Sequence, residues 1–598
     1  MDYKKFLKNY FHYLSYFYSY LRHRTFIAFG VSLLVGLLDG IGLALFIPLL
    51  KLITTNSKDV EVGNGEDFIS DFVINQLGIT ANLTNIFLLI FVFFSLKSIV
   101  KFLESFIRII YQQYFMRKIR ISNIDLLNRF DFQKFLKTNA GRIQNTLSGE
   151  VNRVNVAYNY YFKSVQFGVL VLVYVSLALG SDWKFTILTV IGGVIINVIF
   201  KGLYKRTKYY SKKLTNKAHY FQNLLIQKIH LFKYLKATGL NFLYGDKLKA
   251  NIIEIEGIQK RMGIVEALLG AIREPLTILV VFGAIFLNMY FFDEEMGSIL
   301  LSLILLYRGI TFFMAMQEQW NLFLGVSGSL DNMKAFTNEL KDGKERNGKE
   351  IFKGFIEQIQ LKDLDFEFDT GEKVLSKINL NIRKNETLAI VGESGAGKST
   401  LLNILSGLLL PDSGKYLIDN IPIEDLESSS FKKHIGYIVQ DATIFNDSIY
   451  NNISFWAPKT PENYDRFLKA IEKAAISDYI MNLPQKENSL LGTNGINISG
   501  GQKQRLSIAR ELYKEVDFLF MDEATSALDG ETEWVIQQNI NLLKGQFTII
   551  IIAHRLATIK NADRIVLMRN GTINAIGSFE KLMETSLEFR EMVQLQNL

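Results

Sequence analysis

Long apolar stretches alternate with basic segments through the first half of the chain. Six apolar stretches precede residue 320, at Thr25–Ile53, Ile86–Ile110, Phe167–Leu179, Phe185–Leu203, Leu276–Phe292 and Ile299–Phe313. Most of them approach or exceed the ~20 residues that a helix needs to cross ~30 Å of hydrocarbon. The third is short, and we expect Tyr160–Gln166 to extend it. One such stretch could be a buried core helix, but six in succession predict a membrane domain of six spans.

The pattern changes after Trp320. A polar stretch rich in Lys, Glu and Gly follows at Lys341–Lys349, and short β-branched runs then alternate with helical patterns. Such alternation is typical of an α/β domain. The sequence therefore predicts an α-helical six-span membrane domain followed by an α/β domain. The expected divisions are an interfacial helix at 1–24, the membrane domain at 25–325, a linker at 326–352 and the α/β domain at 353–598.

Charge is distributed as a membrane topology requires. The residues before the first span and the connections 111–163 and 201–217 are rich in Lys and Arg, whereas 54–85 is mostly acidic and 293–295 is Asp-Glu-Glu. Basic loops tend to stay in the cytoplasm, so both termini are predicted to be cytoplasmic. The Tyr/Phe-rich segment Tyr3–Tyr20 is predicted to be a helix on the inner membrane surface. The net charge of +8 therefore needs no nucleic-acid partner.

A phosphate-binding pattern lies in the α/β domain. Gly392-Glu-Ser-Gly-Ala-Gly-Lys398-Ser399-Thr400 follows the apolar strand Thr387–Val391 and precedes a helical pattern at Thr400–Leu409. Glycines let backbone N–H groups surround phosphates, Lys398 supplies a cation to the β/γ oxygens, and Ser399 can ligate Mg²⁺. The predicted ATP site comprises Gly392, Glu393, Ser394, Gly395, Ala396, Gly397, Lys398, Ser399 and Thr400.

A second apolar strand ends in two acids. Phe518-Leu-Phe-Met-Asp522-Glu523 places Asp522 as a Mg²⁺ ligand, often through water, and Glu523 as the group that polarises the attacking water. Acids at a strand end are often ordinary turn residues. The phosphate-binding pattern upstream favours the catalytic interpretation here.

Between these motifs lies Ile498-Ser499-Gly500-Gly501-Gln502-Lys-Gln-Arg505. Glycines beside a serine at a helix start can form an anion site from backbone N–H groups. This segment resembles the signature sequence of ABC transporter ATPases. The resemblance implies that Ser499, Gly500, Gly501 and Gln502 meet the γ-phosphate of ATP bound by a second subunit.

Other segments resemble further elements of the ABC family. Gln440, which ends the predicted strand Ile435–Gln440, resembles the Q-loop glutamine, which senses Mg²⁺ and the membrane domain. Asp529, in Ser526-Ala-Leu-Asp529, resembles the D-loop residue, and His554 resembles the switch histidine. Phe368 stands where the family usually has a tyrosine that stacks on adenine, and its ring can serve the same purpose.

The family resemblance also implies contacts and an assembly. Short helices at Phe132–Lys137 and Leu231–Lys236 are the candidates for the loop tips that press on the ATPase domains, the second reaching the opposite subunit. One ATPase domain per chain implies a homodimer with two ATP sites. The chain departs from the family at Gly492-Thr493-Asn494-Gly495, where exporters often have an acid. The resemblance therefore carries no coupling role over to Thr493.

Charged residues within the spans are candidates for substrate binding, because their insertion costs ~2.5–3.5 kcal/mol each. Lys97, Lys101, Glu104 and Arg108 recur on one stripe of the second span, and Arg273 and Arg308 lie in the fifth and sixth. The predicted cavity residues are Lys97, Lys101, Arg273 and Arg308. Alternatively, Lys101, Glu104 and Arg108 are solvated in a cytoplasmic extension, and Arg308 pairs with an acid.

Cations at mid-depth suit an anionic head group. This pattern resembles flippases of lipid-linked oligosaccharides, as do the first span around Asp39 and the amphipathic segment Phe68–Leu77. The expected function is export or flipping of an amphipathic anionic substrate across a bacterial cytoplasmic membrane. Membrane lipid is an expected partner. A small modified peptide or a hydrophobic drug is the alternative cargo. The chain has no cysteine, which excludes a disulfide framework, a thiolate zinc site and a cysteine-protease domain.

Overall fold

The computed structural model describes residues 3–46, 83–138, 140–292, 296–368, 371, 373–492, 495–522, 538, 543–553 and 559–596. The chain divides into two compact units. The first comprises Met1–Phe130 and Lys134–Lys344, and the second Asp131–Gln133 and Glu345–Leu598.

The first unit is helical. The helices of this half of the chain are α1 (Tyr3–Leu21), α2 (Arg24–Ala44), α3 (Leu83–Asn128), α4 (Phe132–Lys137), α5 (Ala140–Asn145), α6 (Val151–Ser181), α7 (Trp183–His230), α8 (Phe232–Ala237), α9 (Asn241–Phe292) and α10 (Met296–Asp342). A π-helical segment, Thr146–Glu150, joins α5 to α6. Helix α4 has the bounds predicted from the sequence, and α8 begins and ends one residue later than predicted. Their contact with ATPase domains stays a prediction.

Long apolar helices carry the predicted spans. Within the described ranges, five helices (α2, α3, α6, α7 and α9) are long and apolar enough to cross a membrane. The sixth predicted span, Ile299–Phe313, lies inside α10. Helix α6 packs along α10, α7 along α9, and α2 along α3. The end of the predicted first span and the amphipathic segment Phe68–Leu77 lie outside the described residues.

Helix α1 packs into the helical bundle. Phe17 is fully buried, with its ring centroid 5.3 Å from that of Phe115 on α3 and 5.7 Å from that of Tyr158 on α6. Tyr13 is buried against Phe323 of α10. The prediction of a helix here is confirmed, and one of its faces packs against protein. Aromatic rings placed every three to four residues form that face. Its place on a membrane surface stays a prediction.

Helix α10 extends into the segment predicted as a linker. Leu330, Met333, Phe336 and Leu340 are buried at helical spacing, and the helix ends only at Asp342. The predicted linker at 326–352 is therefore helical over most of its length. Polar residues between these positions lower the average hydropathy, so an apolar window ends before the helix does.

The second unit contains two sheets. Its strands are β1 (Gln358–Glu367), β2 (Lys373–Arg383), β3 (Thr387–Gly392), β4 (Ser413–Ile418), β5 (Ile421–Pro422), β6 (Ile435–Ile438), β7 (Phe518–Asp522), β8 (Thr548–Ile552), β9 (Arg564–Arg569) and β10 (Thr572–Gly577). The smaller sheet has the order β2-β1-β4-β5 and is antiparallel. The larger has the order β10-β9-β3-β8-β7-β6 and is parallel except for β10.

Helices cover the larger sheet and position the candidate site. They are α11 (Lys398–Leu405), α12 (Ser428–Lys433), α13 (Ile449–Ser454), α14 (Pro461–Lys473), α15 (Ser477–Met481), α16 (Gly500–Tyr513), α17 (Phe579–Thr585) and α18 (Leu587–Gln596). Alternate residues of β3 enter two separate cores, with Leu388 and Ile390 in one and Ala389 and Val391 in the other. A strand covered on both faces reads as a continuous apolar run. Strand β8 has the bounds predicted from the sequence, and β7 begins at the predicted Phe518 and ends at Asp522. The helix predicted at Thr400–Leu409 is α11, which begins and ends earlier, and the strand predicted at Ile435–Gln440 ends at Ile438.

Candidate functional site

The segment between β3 and α11 has a backbone that requires glycine. Gly392, Gly395 and Gly397 have φ of 148°, 83° and 92°. A Cβ atom at Gly392 would collide with the carbonyl oxygen of Met568 on β9. Gly397 stands at the start of α11 in the left-handed region, which a side chain rarely adopts. The loop therefore presents backbone N–H groups at a helix N-terminus, as a phosphate site requires.

Lys398 is held inside this loop. Its ammonium donates to the carbonyl oxygens of Gly392 at 2.9 Å and Glu393 at 2.8 Å, and the residue is buried. Ser394, Gly395 and Ser399 of the same loop are exposed. The arrangement places a cation within the loop and leaves a hydroxyl at its surface.

The predicted phosphate-binding loop and two predicted site residues lie at or just after the ends of parallel strands. The loop after Gly392 follows β3, Asp522 ends β7, and Gln440 comes two residues after β6. Carboxyl ends of parallel strands meet at one edge of a sheet, which is where α/β domains bind ligands. The sheet thus brings the phosphate-binding loop, Asp522 and Gln440 to the same edge.

Tyr437 of β6 lies beside Asp522. Its hydroxyl donates to the Asn403 side chain on α11 at 3.0 Å. Burial, and after it the charge of Asp522, raises the pKa of the Tyr437 hydroxyl. The tyrosine therefore stays neutral next to the carboxylate of Asp522. Its hydrogen bond to Asn403 links β6 to α11.

Phe368 follows β1 with its ring half-buried. It contacts Phe366 edge-on, with ring centroids 5.1 Å apart. Phe366 is 1% exposed and belongs to the core. Of these two phenylalanines, only Phe368 keeps an accessible ring face, in agreement with its predicted stacking role.

The candidate signature begins α16. Ser499 is the N-cap, and its hydroxyl accepts from the Gln502 backbone N–H at 3.3 Å, while Gln502 Oε1 accepts from the Ser499 backbone N–H at 2.9 Å. This reciprocal cap fixes the helix start. Ser499 and Gly500 are exposed, and no atom lies within 4 Å of a Cβ built at Gly500. A ligand can therefore approach this helix terminus closely.

Several predicted site residues lie outside the described residues. They are Glu523, Asp529 and His554, and the departure from the family at Thr493 and Asn494 lies outside them too. Glu523 directly follows Asp522, and His554 follows Ala553 just after β8. Their roles stay predictions.

Lys97, a predicted substrate contact, is already paired. Its ammonium bonds the buried carboxylate of Asp39 on α2 and lies 5.0 Å from the Phe94 ring centroid. Asp39 and Arg308 are both charged neighbours of the buried Tyr174 on α6. Tyr174 therefore lies near both Arg308 and Asp39, the partner of Lys97. Arg308 itself is exposed and makes no ion pair with any residue that the structure describes.

The other charges of the second span form a polar network. Glu104 is 6% exposed, accepts from the Ser32 hydroxyl of α2 and accepts from Gln166 of α6 at 2.7 Å. Arg108 donates to Gln166 at 2.9 Å. Solvation in a cytoplasmic extension is therefore wrong for Glu104, which is buried between three helices. Lys101 is exposed, which agrees with the alternative that its side chain is solvated.

Arg273 lies on α9 and is buried. Its guanidinium is 3.7 Å from Glu318 of α10, and its Nε has no hydrogen-bond partner among the described residues. The contact is long for an ion pair, so Arg273 retains capacity for a further acceptor.

Two residues of functional interest were missed in the sequence. Asp39 was noted only as part of a motif, although a carboxylate within a span calls for a named cation partner. Arg510 of α16 is buried and bonded to the loop that follows Gln440. Its position on a charged helix face gave no signal of that contact.

Family models match both units in the order of the structure. The model for the ABC transporter transmembrane region matches residues 25–316, and the model for the ABC transporter matches residues 375–526. The chain belongs to the ABC transporter family, with the exporter arrangement of a helical membrane domain followed by an ATPase domain. It binds ATP and couples ATP hydrolysis to transport.

Individual relatives cover most of the chain. The ATP-dependent lipid A-core flippase of Psychrobacter arcticus is 28% identical over 523 residues, which is 85% of this chain and 85% of the flippase. YgaD of Bacillus subtilis, provisionally named a multidrug export ATP-binding/permease protein, is 37% identical over 241 residues, 40% of this chain and 41% of that protein. The solved structure of a bacterial Atm1-family ABC exporter with ATP bound has a TM-score of 0.80 at 21% identity. The similarity covers 97% of this chain and 99% of the exporter chain.

Proposed function

We propose that the chain exports or flips an amphipathic anionic substrate, similar to a lipid-linked oligosaccharide, across a bacterial cytoplasmic membrane with both termini in the cytoplasm. The observation that carries this proposal is Arg308. It is an exposed cation on a membrane helix, beside the buried pair of Asp39 and Lys97, and it has no ion-pair partner among the described residues. A cation at that place is costly unless water or a substrate compensates its charge. The name of the Psychrobacter relative also gives a lipid as the transported molecule.

The ATP site would work through residues at the sheet edge. Lys398 would exchange its carbonyl partners for β- and γ-phosphate oxygens, and the N–H groups of 393–400 would bind the same phosphates. Phe368 would stack on adenine. Glu523 would polarise the attacking water, and His554 would contact the γ-phosphate.

The side chains at this edge fit Mg²⁺. Ser399, Gln440 and Asp522 offer a hydroxyl, an amide carbonyl and a carboxylate, the hard oxygen donors that Mg²⁺ prefers. When bound, the ion would neutralise charge on the β- and γ-phosphates. The chain's part is to hold these oxygens at one sheet edge.

The active unit would be a homodimer. Ser499, Gly500, Gly501 and Gln502 lie on an exposed helix terminus suited to an anion. In a homodimer this terminus would meet the ATP bound by the partner subunit, with Asp529 at the same interface. Each of the two sites would then need both subunits.

A neutral cargo is the second candidate. Asp39 neutralises Lys97, and Glu318 lies near Arg273, so the membrane unit offers fewer uncompensated cations than its sequence suggests. This pairing favours a small peptide or hydrophobic drug more than the sequence alone does. The provisional naming of YgaD as a multidrug exporter agrees with it.

The test is substrate-stimulated ATP hydrolysis in nanodiscs. A pyrophosphate-linked lipid and a neutral peptide are each titrated against wild type and Arg308→Ala. For an anionic cargo, Arg308→Ala should raise the half-saturating lipid concentration about tenfold, since a hydrogen bond to a charged group contributes about 1.5 kcal/mol. Basal hydrolysis should stay unchanged.

The matched control is Arg590→Ala, which removes the same side chain from an exposed position on α18. It should respond to the lipid as wild type does. If Arg308→Ala also responds to the lipid as wild type does, the anionic cargo is refuted. Stimulation by the peptide in both proteins would then support the neutral cargo.

A further inference from the structure

Arg510 is a buried cation near the end of α16. The residue is 5% exposed, and among the described residues no carboxylate lies within ion-pair distance of its guanidinium. Burial lowers its pKa from the ordinary value, although an arginine stays charged. Burying a cation without an ion-pair partner is costly, so other bonds must compensate.

Those bonds come from a loop beside the candidate site. Arg510 Nη1 donates to the Thr443 carbonyl oxygen at 2.7 Å, Nε to the Asn452 carbonyl oxygen at 2.7 Å, and Nη2 to Asn452 Oδ1 at 2.9 Å. The guanidinium carbon also lies 4.9 Å from the Phe445 ring centroid. The planar fork of arginine supplies three separated donors, which a lysine ammonium cannot match.

Thr443 and Phe445 belong to the loop 441–448, which directly follows Gln440. Asn452 fastens the same loop. Its Oδ1 accepts from the Phe445 N–H at 2.9 Å, and its Nδ2 donates to the carbonyl oxygens of Phe445 and Ser448, both at 3.0 Å. Arg510 and Asn452 therefore attach this loop to α16.

Helix α16 joins this attachment to the candidate signature. Ser499 caps its start and Arg510 stands near its end, about 16 Å away along one continuous helix. A displacement of the helix start must move Arg510, and with it the backbone of Thr443. Only two residues separate Thr443 from Gln440, too few to absorb much movement.

We propose that Arg510 is a positioning residue that makes the placement of Gln440 depend on the signature at the start of α16. This inference rests on the Mg²⁺ role proposed above for Gln440. The consequence is that contact between the signature and ATP would adjust an oxygen ligand in the same subunit. Arg510 itself touches neither nucleotide nor metal.

The test uses basal ATP hydrolysis by the full-length protein without cargo, so it does not depend on which substrate is carried. Mg²⁺ is titrated at saturating ATP for Arg510→Lys, Gln440→Ala and the double variant. Arg510→Lys keeps the charge and loses two of the three bonds. It should raise the half-saturating Mg²⁺ concentration about tenfold with little change in KM for ATP. When Gln440 is already alanine, Arg510→Lys should raise the half-saturating Mg²⁺ concentration by less than about twofold.

A merely structural role predicts another result. The proposal is overturned if the two increases in half-saturating Mg²⁺ concentration multiply in the double variant. It is also overturned if Arg510→Lys has the same Mg²⁺ titration as wild type. If Gln440→Ala alone has the same Mg²⁺ titration as wild type, the Mg²⁺ role of Gln440 is refuted instead. Arg590→Lys, at an exposed position on α18, is the control and should change nothing. If Arg510→Lys does not fold, Phe445→Leu removes the ring beside the guanidinium and should shift the same titration, less strongly and again only when Gln440 is present.

Discussion

Asp39 of α2 and Lys97 of α3 form an ion pair inside the membrane unit, with the carboxylate almost fully buried and the ammonium about four-fifths buried. Each charge makes the other tolerable in an apolar surrounding. The pair therefore joins α2 to α3 beside their apolar contacts, and it lowers the positive charge that the unit offers to a substrate.

Breaking this pair from one side should destabilise the protein. Lys97→Met leaves the Asp39 carboxylate buried without its partner and should cost about 3 kcal/mol. The double variant Asp39→Leu/Lys97→Met removes both charges and should unfold at a higher temperature than Lys97→Met alone. Thermal unfolding in detergent measures this order. Additive losses in the double variant would show that the pair contributes nothing.

Releasing the cation should change the response to cargo. Asp39→Asn keeps a polar side chain of the same shape and leaves Lys97 with a net charge. In nanodiscs, stimulation of ATP hydrolysis by a pyrophosphate-linked lipid should then saturate at a lower concentration than in wild type. Stimulation by a neutral peptide serves as the control and should stay the same. A weaker response to the lipid would contradict this prediction.

Phe368 should act through its ring alone. Phe368→Tyr should leave ATP hydrolysis near wild type, whereas Phe368→Ala should raise KM for ATP several-fold, since aromatic stacking contributes about 0.5–1.5 kcal/mol. The two variants control for each other, because both alter a half-buried position and only one loses the ring. An unchanged KM in Phe368→Ala would refute the stacking role. The buried Phe366 cannot replace it without leaving the core.

Glu523 should be needed for hydrolysis and not for binding. Glu523→Gln should bind ATP as wild type does and nearly abolish turnover, because a general base contributes about 10²–10⁴-fold. The variant should also accumulate as a closed dimer. ATPase assays in vesicles test this, with nucleotide binding measured on the same preparation. Retention of more than about a tenth of the activity would contradict the role.

The aromatic cluster around α1 should carry stability. Phe17→Ala removes a fully buried ring and should cost about 3–5 kcal/mol. Phe91→Ala removes the same group from α3 at a position 72% exposed, and should cost far less. Thermal unfolding of both variants in one detergent gives the comparison. Equal losses would mean that α1 does not depend on its packing.

Local patterns in the sequence predicted the strands of the ATPase unit better than its helices. The strand that ends in Asp522 and the strand before Ala553 are each defined by neighbours in the chain, and the structure has β7 and β8 there. The helix predicted at Thr400–Leu409 begins two residues earlier and ends four residues earlier in the structure. Glycine at 392, 395 and 397 predicts a loop, and the backbone angles give the reason.

Relationships between helices could not be predicted in the same way. Hydropathy shows that α2 and α3 are apolar, but not which faces meet, so the pairing of Asp39 with Lys97 was not foreseen. The burial of Glu104 was missed because its partners Ser32 and Gln166 come from distant helices. Arg510 resembled any exposed arginine on a charged helix, since its acceptors are backbone carbonyls that carry no sequence signal.

The packing of α1 has a consequence for how the protein is made. This helix is synthesised before α3 and α6, which carry Phe115 and Tyr158, the rings that bury Phe17. Until α3 and α6 are made, that aromatic face has no partner from these two helices. Helix α1 therefore reaches its final packing only after helices that follow it in the chain.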